Sequence, residues 1–583
     1  MFKAIKWIVV SLVLLFSLDA IAQRPALQKM SALVREACLS VPQTPRFNRM
    51  RATNPQRPSV TAFVKGTANM HEVLRSCGAK VLYHNGNLSI ASIPLDQIST
   101  LSLSPSILRI EAGRRSHVLM DTTGIIVSAT KVNIGEHLPQ GYTGAGVVVG
   151  VQDIGFDLTH PNFFSADMSR YRIGAMWDQL STDTLNSTLP VGRDYVGRET
   201  LLALGHPRDG LIQTHGTHTA GIAAGSGAEG GGTVSPYRGI AYDSELCFVC
   251  NATTEDASLI APSDYYKYTY AMDALGFKYI FDYAASQNKP CVINFSEGSK
   301  QDFHGDDILY YEMLESLSGP GRIIVSSAGN EGKNINYAHK PAGTASAGLF
   351  VSSSRKAMSM TTRASANFTF RLKFYPTGQA PVVRNYTLAT LLASPDSTLK
   401  DSLRIDTIDY ELTAVAYADS YGTGLTACDW VIKSSTQLSK LPISVELVGP
   451  SADVELYRVS GEFRHNSLDP TLIAGDNSHS IYSPSSAPSV ICVGATGYRT
   501  WFVNYLGETK VYNNGTGGVR TPFSAVGPTW DGRIKPDVMA PGQNIISSYS
   551  TFFINNPANA GFPLSSDVRH FNYNGRTYAW MSN

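Results

Sequence analysis

Three segments of the sequence place polar side chains of catalytic types at the end of apolar, strand-like runs. Asp153 ends the run GAGVVVGVQD, His215 lies in the segment THGTHTAG, and Asn330 follows the run RIIVSSAG. A carboxylate can orient an imidazole, the imidazole can transfer a proton, and an amide can donate to a developing oxyanion. Each residue alone also has an ordinary structural explanation, because aspartates cap helices and asparagines favour turns.

The two histidines of the second segment, His215 and His218, could also be metal ligands. A helical zinc site of the H-E-x-x-H type would need a glutamate that this segment lacks. The small residues around them instead predict a tightly packed helix, with His218 as a hydrogen-bonded interior side chain. Cys247 and Cys250 have C-x-x-C spacing, but they lie in the apolar run LCFVC and are predicted to form a buried strand.

The elements that position these residues are predicted to form an α/β fold. From about residue 125, strands that are apolar throughout alternate with helical segments, which indicates a parallel sheet with helices on both faces. Ligands bind at the carboxyl ends of the strands in such sheets. Alternating segments between 355 and 478 predict a β-rich insert, a small sandwich. The α/β domain is thus predicted in two parts, 125–350 and 479–583.

The region before this domain is predicted to contain three parts. Residues 1–22 have the basic start, apolar run and Ala-Ile-Ala site of a signal peptide, and the apolar run is shorter than the ~20 residues that span a membrane. We therefore expect export, to a secreted, periplasmic or cell-surface location. Residues 23–57 are predicted to be a linker. Residues 58–118 suggest strand, helix, hairpin, helix and strand, the order of a ferredoxin-like unit.

Composition restricts the partners and cofactors. The 583 residues include 43% hydrophobic residues and have a formal net charge of +1, which excludes a polyelectrolyte and gives no electrostatic reason to expect nucleic acid. The seven cysteines are too thinly spread to indicate a disulfide framework. We expect no required cofactor. A structural calcium ion stays unassigned, because no acidic cluster has convincing loop spacing.

In combination, the three segments resemble the motifs of the subtilisin-like serine peptidases, the subtilases. The matching segments are Asp-x-Gly at 153–155, His-Gly-Thr-His-x-Ala-Gly at 215–221, Ala-Gly-Asn-Glu-Gly at 328–332, Val-Ile-Asn-Phe-Ser-Glu-Gly at 292–298, and 523–542, which ends in Ala-Pro-Gly. The resemblance implies a secreted serine endopeptidase that cleaves proteins or peptides through an Asp-His-Ser triad and an acyl-enzyme. It also implies that the 58–118 unit is a prosegment, which assists folding and blocks the cleft until it is cut off.

The resemblance implies a role for each matching residue. Asp153 would orient His215, His215 would take a proton from a serine hydroxyl, and Asn330 would donate to the oxyanion. The segments that flank the substrate would be Ser296, Glu297 and Gly298, together with Ala328 and Gly329. Glu297 stands where the family often has an apolar residue. It is interpreted either as a contact for basic substrate side chains or, as is commoner for charged residues, as a solvated carboxylate at the rim.

The nucleophilic serine has no match in this sequence. In the family a Gly-Thr-Ser motif follows the Ala-Pro-Gly segment, whereas this sequence ends in Met581-Ser582-Asn583, and Met-Ser is the usual lead-in to the motif. We expect a chain cut just before the nucleophile, which should expose apolar surface of the sheet and aggregate. The alternative is an inactive pseudoenzyme or a peptide-binding fragment. Ser346, in a near-copy of the motif, is set aside because it precedes the insert and the Ala-Pro-Gly segment.

Overall fold

The computed structural model describes residues 25–40, 58–112, 117–118, 126–299, 307–560 and 566–582. The predicted signal peptide, residues 1–22, lies outside these ranges. None of the helices within them is long and apolar enough to cross a membrane.

The N-terminal unit, residues 25–40 and 58–112, is built on a four-stranded antiparallel sheet of order β2-β3-β1-β4. Its elements are α1 Ala32–Ser40, β1 Ser59–Gly66, α2 Met70–Ser76, β2 Lys80–Asn85, β3 Leu88–Pro94, α3 Ile98–Leu103 and β4 Ile107–Glu111. The order from β1 to β4 is the predicted ferredoxin-like order. Alternate residues of β1 face opposite sides, so Val64 packs in the core of this unit while Phe63 packs against the domain that follows.

Part of the predicted linker, 23–57, is folded. Residues 32–40 form α1, and Val34 and Ala37 are fully buried in the core of the N-terminal unit together with Met30. The linker interpretation is therefore wrong for this stretch, because Val34 and Ala37, three residues apart on one face of α1, pack into that core. Residues 41–57 lie outside the described ranges.

The main sheet has eight strands in the order β27-β24-β12-β10-β6-β9-β7-β8, all parallel to their neighbours except β8. Two of them, β24 Val490–Thr496 and β27 Val538–Pro541, come from the second part of the domain. The first part of this domain, with the short strand β5 that precedes it, contains β5 His117–Val118, α4 Ala129–Ile134, β6 Val148–Asp153, β7 Ile173–Asp178, β8 Arg193–Val196, α5 Arg198–Leu204, α6 His215–Ala224, β9 Glu245–Cys250, α7 Tyr270–Ser286, β10 Cys291–Phe295, β11 Glu297–Gly298, α8 Ile308–Leu317 and β12 Arg322–Ser327.

The insert between β12 and β24 is a two-sheet sandwich, with sheets of order β13-β22-β15-β20-β19-β18 and β17-β16-β21-β14-β23. Its elements are β13 Tyr337–Lys340, β14 Ser346–Ser352, β15 Ala357–Ala364, β16 Thr369–Phe374, β17 Val382–Thr387, α9 Leu388–Ala393, β18 Thr398–Ile405, β19 Ile408–Ala418, β20 Thr426–Ser434, β21 Ile443–Val448, β22 Val454–Ser460 and β23 Glu462–Arg464. The rings of Phe370 and Trp430, one from each sheet, stack in its core with centroids 3.9 Å apart.

The insert differs from the predicted range of 355–478. Its sheets begin at Tyr337 and end at Arg464, because β13 pairs with β22 and β14 pairs with β21 and β23. Strand β13 and most of β14 thus lie within the range predicted for the α/β domain, 125–350, but they belong to the insert.

The chain then returns to the main sheet. The remaining elements are β24 Val490–Thr496, β25 Trp501–Val503, β26 Thr509–Val511, β27 Val538–Pro541, β28 Ile546–Tyr549, α10 Thr551–Ile554, β29 Asp567–Tyr573 and β30 Arg576–Ser582. Helices α7 and α8 pack in the core on one face of the sheet, and α6 packs in a separate core on the other face. The predicted parallel sheet with helices on both faces is confirmed.

Apolar side chains remain exposed on one face of the sheet near β27, β24 and β12. Ile323 is 41% exposed, Ile491 is 40% exposed and Val538 is 52% exposed. The strand register places all three on the same face. Parallel sheets are normally covered on both faces, so this surface is of the kind that a helix packs on.

Candidate active site

Asp153 and His215 are in direct contact at the carboxyl end of β6. Nδ1 of His215 lies 2.6 Å from Oδ1 of Asp153 and donates to it. Both side chains are buried. Since Nδ1 carries the proton in this contact, Nε2 of the neutral ring keeps a lone pair and can accept a proton.

Two further hydrogen bonds hold the carboxylate of Asp153. Oδ1 also accepts from the backbone N–H of Ile154, and Oδ2 accepts from the hydroxyl of Thr219, both at 2.8 Å. Thr219 lies one turn after His215 on α6. The same helix therefore supplies the imidazole and a hydroxyl that orients the partner of that imidazole.

The glycine two residues after Asp153 has a local geometric role. Gly155 has a φ of +71°, and a Cβ at this position would lie 2.1 Å from the carbonyl carbon of Gln213. The segment before α6 thus crosses directly over the turn after β6, which a side chain would prevent. The N–H of Gly155 donates to Oδ2 of Asp209 at 2.8 Å. These contacts bring the first residue of α6 beside the last residue of β6.

The other ring nitrogen of His215 is available for chemistry. Nε2 is buried and has no hydrogen-bond partner among the residues that the structure describes. Most buried polar atoms in native proteins have a partner. The position therefore fits a further hydrogen-bonding group, such as a hydroxyl that donates to Nε2.

The remaining predicted residues follow β10, which pairs with β6, and β12, which pairs with β10. Ser296 comes directly after β10, and Ala328 comes directly after β12. Gln152, Phe295 and Ser326 lie side by side in the parallel register, so these strands end at the same edge. Topology thus brings the segments 296–298 and 328–330 to the edge that carries Asp153.

Sequence comparison identifies the family. A sequence model of the subtilase family matches residues 144–427 and 466–582, which is more than half of the chain. The chain belongs to the subtilase family. It is therefore, by family, a subtilisin-like serine endopeptidase that acts on proteins or peptides.

Two solved structures are similar to this subtilase. The CspB protease of Clostridium perfringens has 21% sequence identity, with 70% of this chain and 78% of that chain covered and a TM-score of 0.49. The prenylagaramide maturation protease PagA has 13% identity, with 73% of this chain and 69% of that chain covered and a TM-score of 0.27.

The segment after β12 forms a turn that exposes Asn330. Asn330 is exposed, while Ala328 and Gly329 are buried. Gly329 has a φ of +113°, and a Cβ there would lie 2.7 Å from the ring of Tyr482. The glycine and the aromatic ring thus fix the turn that presents Asn330. The oxyanion role of Asn330 and the substrate-binding roles of the neighbouring residues stay predictions.

Glu297 is not a solvated carboxylate at the rim, and that interpretation is wrong. Its exposed fraction is 0%, and Oε2 accepts from Nδ2 of Asn251 at 2.8 Å. The same amide nitrogen donates to Oδ1 of Asp273 at 3.0 Å. Burial, together with the charge of Asp153, raises the pKa of Glu297 well above its usual range. The Glu297 side chain thus turns into the protein.

The sequence motifs missed the residues that support the site. Thr219 lies within the matched histidine segment, where its spacing of four from His215 on a helix was the available signal. Asn251 directly follows β9 and Asp273 lies in the first turn of α7. Neither has a local signal, because their contact with Glu297 joins segments distant in sequence.

The other candidate residues have structural roles. His218 is fully buried, and its Nε2 donates to the carbonyl of Met581 at 3.1 Å, as the prediction of an interior histidine requires. Cys247 and Cys250 are buried in β9. Ser346 begins β14 in the insert. In the described ranges, no group of three or more His, Cys, Asp or Glu residues could hold a metal ion.

Proposed function

We propose that this subtilase hydrolyses peptide bonds with Asp153 and His215 as two members of a triad. The contact between Nδ1 of His215 and Oδ1 of Asp153 carries the proposal. His215 takes the proton of a serine hydroxyl at Nε2 while the serine oxygen attacks the substrate carbonyl carbon. Asp153 stabilises the imidazolium that forms. His215 then passes this proton to the leaving amine, which yields an acyl-enzyme that water hydrolyses.

We propose that the nucleophile follows Ser582 in a Gly-Thr-Ser motif. The support is the position of β30, which is tied to the helix that carries the catalytic histidine. The carbonyl of Met581 accepts from His218, one turn from His215 on α6. A residue shortly after Ser582 would therefore start beside α6, the helix whose His215 has a lone pair without a hydrogen-bond partner on Nε2 among the described residues.

Asn330 is proposed to complete the site as the oxyanion donor. Its exposed position after β12 leaves its amide free to reach the substrate carbonyl oxygen. Donors that are fixed before the reaction stabilise the negative charge that develops there. Substrate backbone is proposed to lie between the segments 296–298 and 328–329, and hydrolysis is proposed to need no cofactor.

The N-terminal unit is proposed to be a prosegment. Strand β5, just beyond this unit, pairs antiparallel with β11, so that Val118 lies opposite Glu297 and His117 lies opposite Gly298. An extended chain on this strand occupies the place proposed for substrate. We infer that the bond cut during maturation lies after Val118, and that residues 1–22 direct export to a secreted, periplasmic or cell-surface location.

The test uses the chain extended through Gly-Thr-Ser beside the 583-residue chain. A fluorophosphonate probe should label the extended chain and a protein substrate should be cleaved, while Ser→Ala in the motif and His215→Ala should abolish both. An Asp153→Asn variant should lower kcat by about 10⁴-fold, the effect of this change in a serine-protease triad. Labelling that survives His215→Ala would overturn the role of His215. An extended chain that the probe does not label would overturn the proposal in favour of a peptide-binding pseudoenzyme.

A further inference from the structure

The insert contacts the N-terminal unit through an apolar surface. Val415, Tyr417 and Ala427, from β19 and β20, are buried in the same cluster as the core residues of the N-terminal unit. Tyr417 is only 5% exposed and Ala427 is fully buried. The hydrophobic core of the unit thus continues into the insert.

A largely buried ion pair lies within this contact. Nη2 of Arg35, from α1, lies 2.5 Å from Oδ2 of Asp429, from β20. The Arg35 side chain is only 4% exposed, and its guanidinium carbon lies 4.1 Å from the centre of the Tyr417 ring. Removing one member of a desolvated ion pair is destabilising, because the other charge stays largely buried without that partner.

Each member of the pair is held in place by its own part of the chain. Oδ1 of Asp429 accepts from the hydroxyls of Thr361 and Tyr417, at 2.8 and 2.9 Å. Nη1 of Arg35 donates to the carbonyl of Met30 at 2.6 Å. The acceptor site is therefore built within the insert, and the arginine is oriented within the N-terminal unit.

The opposite face of the N-terminal unit contacts the main-sheet domain independently. The ring of Phe63 stacks on Tyr270 of α7 and Tyr310 of α8, with centroids 5.7 and 5.6 Å apart. Oε1 of Glu111 accepts from the N–H of Leu309 at the start of α8, at 2.7 Å. The unit is therefore held from two sides, by the helices of the main-sheet domain and by the insert.

We propose that the insert is a clasp that retains the N-terminal unit after the connecting chain is cut. The partner is this chain's own N-terminal unit, recognised through an arginine set in an apolar helix. Two linked contacts slow dissociation, because either can re-form while the other holds. The proposal rests on the proposed function only for the cut itself. Its consequence is that β5 stays on β11, so the cleft remains covered after cleavage.

The test makes the cut with an external protease, so that self-cleavage is not needed. A tobacco etch virus protease site is inserted between Val118 and Ile126 of the full 583-residue chain, which carries a C-terminal tag for immobilisation. After complete cleavage, release of the N-terminal fragment is followed over time. We expect the wild-type fragment to be retained for hours and Asp429→Ala or Tyr417→Ala to release it at least tenfold faster.

The matched control is Asp409→Ala. Asp409 forms an ion pair with Arg404 on the same insert sheet, but both side chains are exposed, so this variant should release the fragment at the wild-type rate. Immediate release from the wild type, or equal rates for Asp429→Ala and the wild type, would overturn the proposal.

A variant on the other side of the contact separates docking from folding of the insert. Arg35→Met leaves every residue of the insert unchanged and should accelerate release as Asp429→Ala does. The double variant should be no faster than either single variant, because both remove the same contact. Fully additive effects would overturn the clasp. Failure of the proposed function is seen separately, as an extended chain that no fluorophosphonate labels.

Discussion

Nε2 of His218 lies 3.1 Å from the carbonyl oxygen of Met581, and this hydrogen bond joins α6, the helix that also carries His215, to β30. The bond needs only one proton on the ring, and burial lowers the pKa of His218 to about 3. His218 is thus a neutral side chain of the interior, although it is only three residues from His215.

His218 should make the protein sensitive to acid. The unfolded chain takes up a proton on this ring below about pH 6.5, whereas the folded chain does so only near pH 3. Stability contributed by the neutral ring is therefore lost as pH falls through this window, by about 1.4 kcal/mol per pH unit. His218→Gln should flatten the dependence by this slope in urea unfolding between pH 4 and 7. His465→Gln, at an exposed histidine, is the control and should leave the slope unchanged.

Thr219 should stabilise the fold through Asp153. Its hydroxyl donates to Oδ2 of a fully buried carboxylate, and Thr219→Val removes that donor at nearly constant volume. An unsatisfied buried acceptor costs about 1–3 kcal/mol in free energy of unfolding. Urea unfolding at pH 7 measures the loss, with the exposed Thr182→Val as control. Equal stability of both variants would show that Asp153 does not depend on this hydroxyl.

The sequence predicts those parts of the site whose geometry depends on a single continuous segment of the chain. Asp153 ends a continuous apolar strand, and Gly155 and the residues at 215–221 have spacings that a single turn and a single helix explain. Glu297 was misjudged because its burial depends on Asn251 and Asp273, which the fold brings together from β9 and α7. Helix α1 was missed because its stability comes from packing on the N-terminal unit and the insert.

Ionisation of the Glu297 carboxyl group should destabilise the folded protein at neutral and alkaline pH. Burial is the main reason that its pKa is well above the usual range, and Asp153 raises it further. A raised carboxyl pKa favours folding below the unfolded value near 4.5, and this advantage is lost as pH rises towards the folded pKa. Glu297→Gln removes the charge and keeps an oxygen that can accept from Asn251. It should therefore raise the free energy of unfolding at pH 8 and leave it nearly unchanged at pH 4.

The control for this charge effect is Glu411→Gln, at an exposed glutamate of the insert. It should change stability little at either pH, because exposed charges are solvated in both states. Each unit of pKa difference corresponds to about 1.4 kcal/mol, so a gain of at least that size at pH 8 is expected for Glu297→Gln. A gain of equal size at pH 4 would show that packing, and not ionisation, is responsible.

The exposed face of the main sheet should bind apolar ligands. Ile323, Ile491 and Val538 lie on one face and are each at least 40% exposed. Contiguous apolar surface of this kind promotes association. We expect the 583-residue chain to enhance the fluorescence of anilinonaphthalene sulfonate and to self-associate in analytical ultracentrifugation. Ile323→Lys with Ile491→Lys should reduce both signals several-fold.

The exposed apolar residues of the β25–β26 hairpin provide a matched control for this face. Trp501→Lys with Val511→Lys changes two exposed apolar side chains, 57% and 67% exposed, on a separate two-stranded sheet. If the main-sheet face is the binding surface, this pair should lower dye binding much less than the substitutions at Ile323 and Ile491. Equal reductions would place the surface elsewhere. A wild-type chain that binds no dye and sediments as a monomer would show that the face is covered in solution.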